Sequence, residues 1–396
     1  MKVGRMSALE RVADRIGLGA ETRPIASDYD VLCVSSLPWG PEYPRAQQLL
    51  ARCAHKRRVF VVEAARATDG PPRLEFHAGD RGIEVATPYL PRGLTEDDRE
   101  SLLRGLLDDM VRARGLGAYV LWHDSPLTLG ACRYLKPLAV VYDCAAGAWS
   151  HDTAGPALLE LDDELVRRAD LVFVGDPSAY AARRDSRPTM HVFPGSVDVE
   201  HFAQARGPVA VPADLAEIPR PRLGCFGALD AHLDLDLLAD IADLRRDFHL
   251  VLLGRTFGLD PSRLPQRPNI HYLDERPYAQ LPAYLAGWDV ALLPYAAATR
   301  RAYPARALEY LAAGKPVVAT PLRDVIHPYG VQGLVAIADL PEDFVVAVEC
   351  ELRRDDRRRW QQRVDAFIRE NSWDRTWQEM EALISGAVRE RRGAPA

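Results

Sequence analysis

Short runs dominated by apolar residues recur along the chain at 30–37, 57–63, 118–122, 138–142, 170–175 and 189–193. They return at 223–226, 249–254, 269–273, 289–294, 316–319 and 333–336. Runs that do not alternate apolar with polar suit strands covered on both faces. Between them, apolar positions fall at helical spacing over 45–55, 95–114, 156–168, 178–184, 235–245, 278–287, 305–313 and 341–353. Strand, loop, helix, strand is the repeating unit of a parallel α/β sheet. The polar stretch 64–94, with Pro71-Pro72 and short runs at 74–77 and 83–88, predicts no more than a hairpin-like excursion or variable loop.

The proline-crowded segment QARGPVAVPADLAEIPRPR, residues 204–222, has no sustained pattern and marks a boundary. The expected division is an N-terminal Rossmann-like domain over 1–205, a second over 206–370, and a terminal helix over 371–396. Two such halves place a cleft between the carboxyl ends of their strands. Ser372 is a plausible N-cap, followed by the apolar stripe Trp373, Trp377, Met380, Leu383 and Ile384. That stripe either seals the second core or crosses back to the first half.

Composition narrows the class. The 396 residues carry 50 Lys+Arg against 56 Asp+Glu, a net charge of -6, so no global field favours a nucleic-acid partner. Six cysteines are scattered without CxxC or Cys/His spacing, which fits a reducing compartment and no metal. The N-terminus lacks an apolar core of signal length and no run reaches the ~18 residues of a membrane span, so a cytoplasmic protein is expected. Leu102 to Leu116, rich in leucine, either packs on a sheet or makes a peripheral membrane contact.

The chemistry centres on YPARALEYLAAGKPVVAT, residues 303–320. Pro304 stands at the mouth of a helix, Gly314 ends it, and a buried strand follows. Amides at such a helix start can hold a phosphate, and Glu309, one turn further in, could accept bonds from a sugar diol. An exposed glutamate on an ordinary crossover helix is the plainer alternative.

The run LEYLAAGKPVVAT resembles the donor-site helix and strand of retaining glycosyltransferases of the GT-B fold, in the large group called family 4. In that family the last glutamate of a Glu-x7-Glu pattern binds the nucleotide ribose. Glu309 matches it, while Arg301 stands where the first would fall. Similarity to one bacterial branch extends over residues 31–48, 141–144 (VYDC), 158–178, 194–202, 221–238, 267–294 and 309–329.

The resemblance implies two Rossmann-like domains facing each other across a cleft and a nucleotide-diphosphate sugar as substrate, with no cofactor. The family's diphosphate-binding Arg and Lys would fall at Ala228 and Leu233, so both are missing from the loop after Gly227. Substitutes are His232, Arg255, the loop arginines Arg300 and Arg301, and Arg306, which matches a lysine of the branch. Amides around Tyr303, Pro304 and Ala305 would meet the diphosphate, and the segment from Tyr272 and Leu273 to Tyr278 would meet the base. On the acceptor side stand Trp39, Glu42, Tyr43 and Arg45. Ala145 and Ala146 replace the aspartate expected after Cys144, leaving His151, Asp152 or His123 for the transferred sugar, with Asp143 at a strand end nearby. Asp234-x-Asp236 has the spelling of a metal pair, but its place at a helix start explains it as capping.

The reading is a metal-independent retaining glycosyltransferase with a nucleotide-sugar donor and a small-molecule or glycan acceptor. A degenerate GT-B protein that binds nucleotide or a partner without turnover, and a GT-B epimerase, are the alternatives. Donor sugar, base, acceptor and oligomeric state are open at this level.

Overall fold

The computed structural model describes residues 28–40, 45–144, 155–175, 180, 189–296 and 305–393. The chain divides into two compact units, residues 1–194 with 377–396, and residues 195–376.

Unit 1 is built on a nine-stranded sheet. Its strands are β1 (Asp30–Val34), β2 (Val59–Val62), β3 (Arg66–Thr68), β4 (Arg73–Ala78), β5 (Glu84–Pro91), β6 (Tyr119–His123), β7 (Ala139–Cys144), β8 (Leu171–Val174) and β9 (Met190–Val192). Their order is β3-β5-β2-β1-β6-β7-β8-β9, with β4 paired on β5. Only β4 on β5 is antiparallel. The chain leaves β1 for β2 on one side and returns to β6 on the other, so the order reverses between β1 and β6. Ligands of open α/β sheets bind at the carboxyl ends of strands at such a reversal.

Segment 64–94 is thus part of the sheet, with β4 and β5 forming the hairpin that was one of the two expectations. Leu74 and Phe76 alternate onto the core beside Phe60 and Val62, while Glu75 and His77 are exposed. That two-residue period is too short to read in a polar context. The leucine-rich helix Glu96–Ala113 buries Leu107 and Met110 on the same core, which accounts for its apolar face without a membrane. Its Thr95 cap accepts from Asp98 N, and Glu96, Asp97 and Asp98 suit the positive end of the helix. Among the described residues no helix is long and apolar enough to cross a membrane.

Unit 2 has a parallel six-stranded sheet in the order β12-β11-β10-β13-β14-β15. The strands are β10 (Arg222–Phe226), β11 (His249–Leu253), β12 (Ile270–Leu273), β13 (Val290–Leu293), β14 (Val317–Ala319) and β15 (Ala336–Ile337). Here the order reverses between β10 and β13. One face packs on Trp288, Tyr310, Leu311 and Trp360, the other on Leu238, Ile241, Phe248 and Phe344. The boundary lies at Pro194/Gly195, earlier than the expected 205/206, because Val197, Phe202 and Ala205 already belong to the second core. The helix Trp373–Gly393 belongs to unit 1 from Trp377 onward. There Glu381 takes Arg57 and Lys56, and Arg391 reaches Asp170 at 2.9 Å.

Candidate functional site

In unit 2 the site forms where β10 and β13 end side by side. Gly227 follows β10 at φ 123°, and a Cβ there would lie 1.9 Å from Nη2 of Arg306. Only glycine lets the guanidinium rest against this backbone. A Cβ on Gly254 would meet the Gly227 carbonyl at 1.8 Å, so the loops after β10 and β11 approach main chain to main chain. Leu229 N donates to Arg255 O (2.9 Å) and Phe257 N to Leu229 O (3.0 Å), which zips them together.

The helix Ala305–Ala312 is held to this point by its buried face. Ala307, Leu308, Tyr310, Leu311 and Ala312 have no exposed surface. The Tyr310 hydroxyl accepts from Phe226 N at 3.0 Å, tying the helix to the last residue of β10. Its ring meets Phe226 edge-on at 5.2 Å, and Trp288 occupies the space that a side chain on Gly224 would need. The helix stops at Gly314 (φ 72°), with Gly314 N bonded to Leu311 O and Lys315 N to Tyr310 O, a Schellman closure. Lys315 Nζ donates to the carbonyls of Ala286 and Trp288, and its burial pushes it down to about 8.

Arg306 and Glu309 stand one turn apart on this helix. Arg306 Nη1 donates to the Tyr295 hydroxyl at 3.1 Å. Glu309 is half-buried, and its carboxylate makes no hydrogen bond among the described residues. Burial pushes Glu309 up to about 7, against the pull of Arg306. A carboxylate so placed can accept hydrogen bonds from two sugar hydroxyls.

The other expected donor-side residues divide. His232 lies at the site through its main chain, where its carbonyl accepts from Ala296 N at 2.8 Å; its ring is mostly exposed and pairs with Asp230 at 3.1 Å. Arg255 is 78% exposed and loosely paired with Glu275 at 3.5 Å. Tyr272 is not a free stacking surface, since its hydroxyl donates to Pro265 O at 2.8 Å and holds the ring on that loop. Tyr278 stacks on His201 at 4.0 Å and is committed likewise. Leu273 packs on the core, its carbonyl taken by Gly254 N. Phe257, which the sequence pattern did not single out, is the exposed aromatic ring of this edge at 71%. Ala305 begins the helix, while Tyr303, Pro304, Arg300 and Arg301 lie outside the described residues.

In unit 1, His123 ends β6 at the strand reversal and is buried, with Nδ1 2.6 Å from Thr128 Oγ1. The Thr128 hydroxyl donates to Ser125 O, so Nδ1 carries the proton and Nε2 keeps a lone pair. Burial pushes this imidazole down to about 4, which leaves it neutral near pH 7. Asp124 accepts from Ser35 Oγ and Ser36 N and so joins the loops after β1 and β6. Arg45 is not an open acceptor-binding group. Its Nε donates to Asp143 at 2.8 Å and its Nη1 to Phe193 O at 2.7 Å, because a buried carboxylate demands a cation. Burial raises the Asp143 carboxyl and Arg45 draws it back. Trp39 is half-buried and donates its amide to Glu63. Glu42, Tyr43, His151 and Asp152 lie outside the described residues. Asp234 accepts from Leu237 N as a helix cap, and no group of three or more metal-ligating side chains occurs among the described residues.

These two Rossmann-like units, each with its strand reversal, have close counterparts among solved structures. A sucrose-phosphate synthase from Thermosynechococcus elongatus superposes with a TM-score of 0.64 at 14% identity, covering 90% of this chain and 98% of that one. The fold is that of the GT-B glycosyltransferases. Other GT-B matches are an E. coli trehalose-6-phosphate protein bound with UDP-2-fluoro glucose (TM-score 0.64, 14% identity, 91% and 99% covered) and Anabaena HepE in complex with UDP and glucose (0.62, 14%, 90% and 99%). The family described as glycosyl transferases group 1 matches residues 220–353, which lie within unit 2 and include the helix Ala305–Ala312. TuaH of Bacillus subtilis (strain 168), assigned to teichuronic acid biosynthesis as a glycosyltransferase, is 24% identical over 359 residues, 80% of this chain and 87% of its own.

Proposed function

We propose that the protein is a metal-independent retaining glycosyltransferase of the family 4 type, moving a sugar from a nucleotide-diphosphate donor to an acceptor hydroxyl. The observation that carries the reading is the pair on one helix turn at the β10/β13 reversal, Arg306 against Gly227 and Glu309 with no hydrogen bond to its carboxylate among the described residues. In this reading the ribose diol donates to Glu309, the base lies on Phe257, and the diphosphate lies by Arg306 and the helix start. The bond from the anomeric carbon to the diphosphate oxygen breaks as the acceptor oxygen forms its own bond on the same face. Arg306 stabilises the charge left on the phosphate, and the acceptor proton passes to that phosphate or to water. Trp39 and His123 stay the proposed candidates for the acceptor and the sugar. His151 and Asp152 are further candidates, Arg255 supplies outer positive charge and His232 a hydrogen bond. Similarity to TuaH favours a glycan acceptor, and a cytoplasmic location is part of the proposal.

The exposure of His232 and Arg255 favours one second reading, a GT-B protein that binds nucleotide without turnover. A thermal-shift screen with UDP, GDP, dTDP and their sugars, followed by a transfer assay, separates the two. Glu309→Ala is expected to weaken nucleotide binding roughly ten- to a hundred-fold with the fold intact. Unchanged affinity by calorimetry overturns the assignment.

A further inference from the structure

We infer that Tyr295 is a positioning residue for the donor reaction, aiming the Arg306 guanidinium at the diphosphate. The inference rests on the function proposed above. An arginine side chain has many rotamers, and a guanidinium helps a developing phosphate charge only if it is held in place beforehand. Two surfaces limit Arg306. The Gly227 backbone closes one side, where even a methyl group would collide with it, and the Tyr295 hydroxyl accepts from Nη1 at 3.1 Å. Its remaining N–H groups make no hydrogen bond among the described residues. In the proposed reading these are the groups that meet the anion.

Tyr295 is itself anchored from three directions. It is buried, its amide donates to Thr320 Oγ1 at 3.0 Å, and it bridges Leu233 across the loop after β10. The Thr320 hydroxyl donates in turn to Leu293 O at 3.3 Å, so the tyrosine is referenced to the end of β13. Both walls of the strand reversal therefore act on one guanidinium, β10 through Gly227 and β13 through Tyr295. This compensates for the loop after β10, which has Ala228 and Leu233 where the resemblance leads one to expect cations. The arrangement lets a cation on the helix work from a defined position.

The test compares, by calorimetry on the full chain, the affinities of UDP, GDP or dTDP, whichever binds, and of its parent nucleoside. Tyr295→Phe keeps the buried ring and removes the hydroxyl. It is expected to weaken diphosphate binding roughly three- to ten-fold with nucleoside affinity unchanged. The loss should vanish in an Arg306→Ala background, as a double-mutant cycle requires of a residue acting through another. An unchanged ratio of diphosphate to nucleoside affinity, equal losses for both ligands, or a full loss without Arg306 overturns the positioning role. A wild-type protein that binds none of the diphosphates overturns the functional reading together with it.

Discussion

Glu309 is where function and stability pull against each other most directly. Burial holds its carboxyl at about 7, whereas an exposed glutamate titrates near ~4.3. Between these values the folded protein keeps a proton that the unfolded chain has lost. Stability therefore falls as pH rises through that interval and stays lower above it, by at most on the order of 3 kcal/mol. Glu309→Gln removes the penalty. Scanning calorimetry is expected to show the variant melting a few degrees above wild type at pH 8 and level with it at about pH 4, while its nucleotide affinity falls. Equal melting at pH 8 would mean the carboxylate is better solvated than its surroundings suggest. His123 behaves oppositely, being neutral across this range and so a hydrogen-bonding group rather than a charge.

At the scale of the element, the helix Ala305–Ala312 is defined by what touches it. The apolar spacing of Leu308, Leu311 and Ala312 was readable in the sequence, as were the Gly314 stop and the β14 strand after it. Tyr310 was not, because a tyrosine among leucines looks like core until its hydroxyl is seen to hold Phe226 N. Gly227 was expected on the donor side from the resemblance, as the start of the diphosphate loop, but the reason that it must be glycine appears only with the position of Arg306. Gly227→Ala adds a Cβ at 1.9 Å from the guanidinium and puts an L side chain at φ 123°. The expected result is a loss of roughly 1–3 kcal/mol in denaturant unfolding, together with weaker diphosphate binding as Arg306 is displaced. Wild-type stability and affinity in this variant would refute the close approach.

For the whole molecule, the sequence patterns led to two Rossmann-like α/β units, and the GT-B fold bears out that architecture, while the strand order and its reversals came only with the structure. Membership of the 64–94 segment in the first sheet was hidden, since β4 alternates apolar with charged residues and β5 contains Pro88 and Pro91, which read as breaks. The terminal helix gives a test at this scale. Glu381 sits against Arg57 and Lys56, which outweigh burial and hold its carboxyl below the usual range, and Arg391 reaches Asp170. Removing residues 377–396 is expected to lower amide-exchange protection in β1 and β2, while β10 and β13 keep theirs, because only unit 1 loses contacts. Equal loss in both sheets would contradict the assignment of the helix to unit 1.

The sequence by itself determined the periodic features: strands as continuous apolar runs, helices by their spacing, and stops at glycine and proline. Each depends on residues near one another in the chain, so local chemistry suffices. It also indicated Glu309 by its place one turn into a helix, and the resemblance added Arg306, which matches a lysine of the branch. What only the tertiary structure decided is which side chains are already occupied. Arg45 is committed to Asp143, Tyr272 to Pro265, and Arg306 is aimed by Tyr295. Such pairings join residues remote in sequence, and burial alters the chemistry of the groups involved, as it does for Glu309. Neither the partner nor the burial exists until the sheets have formed.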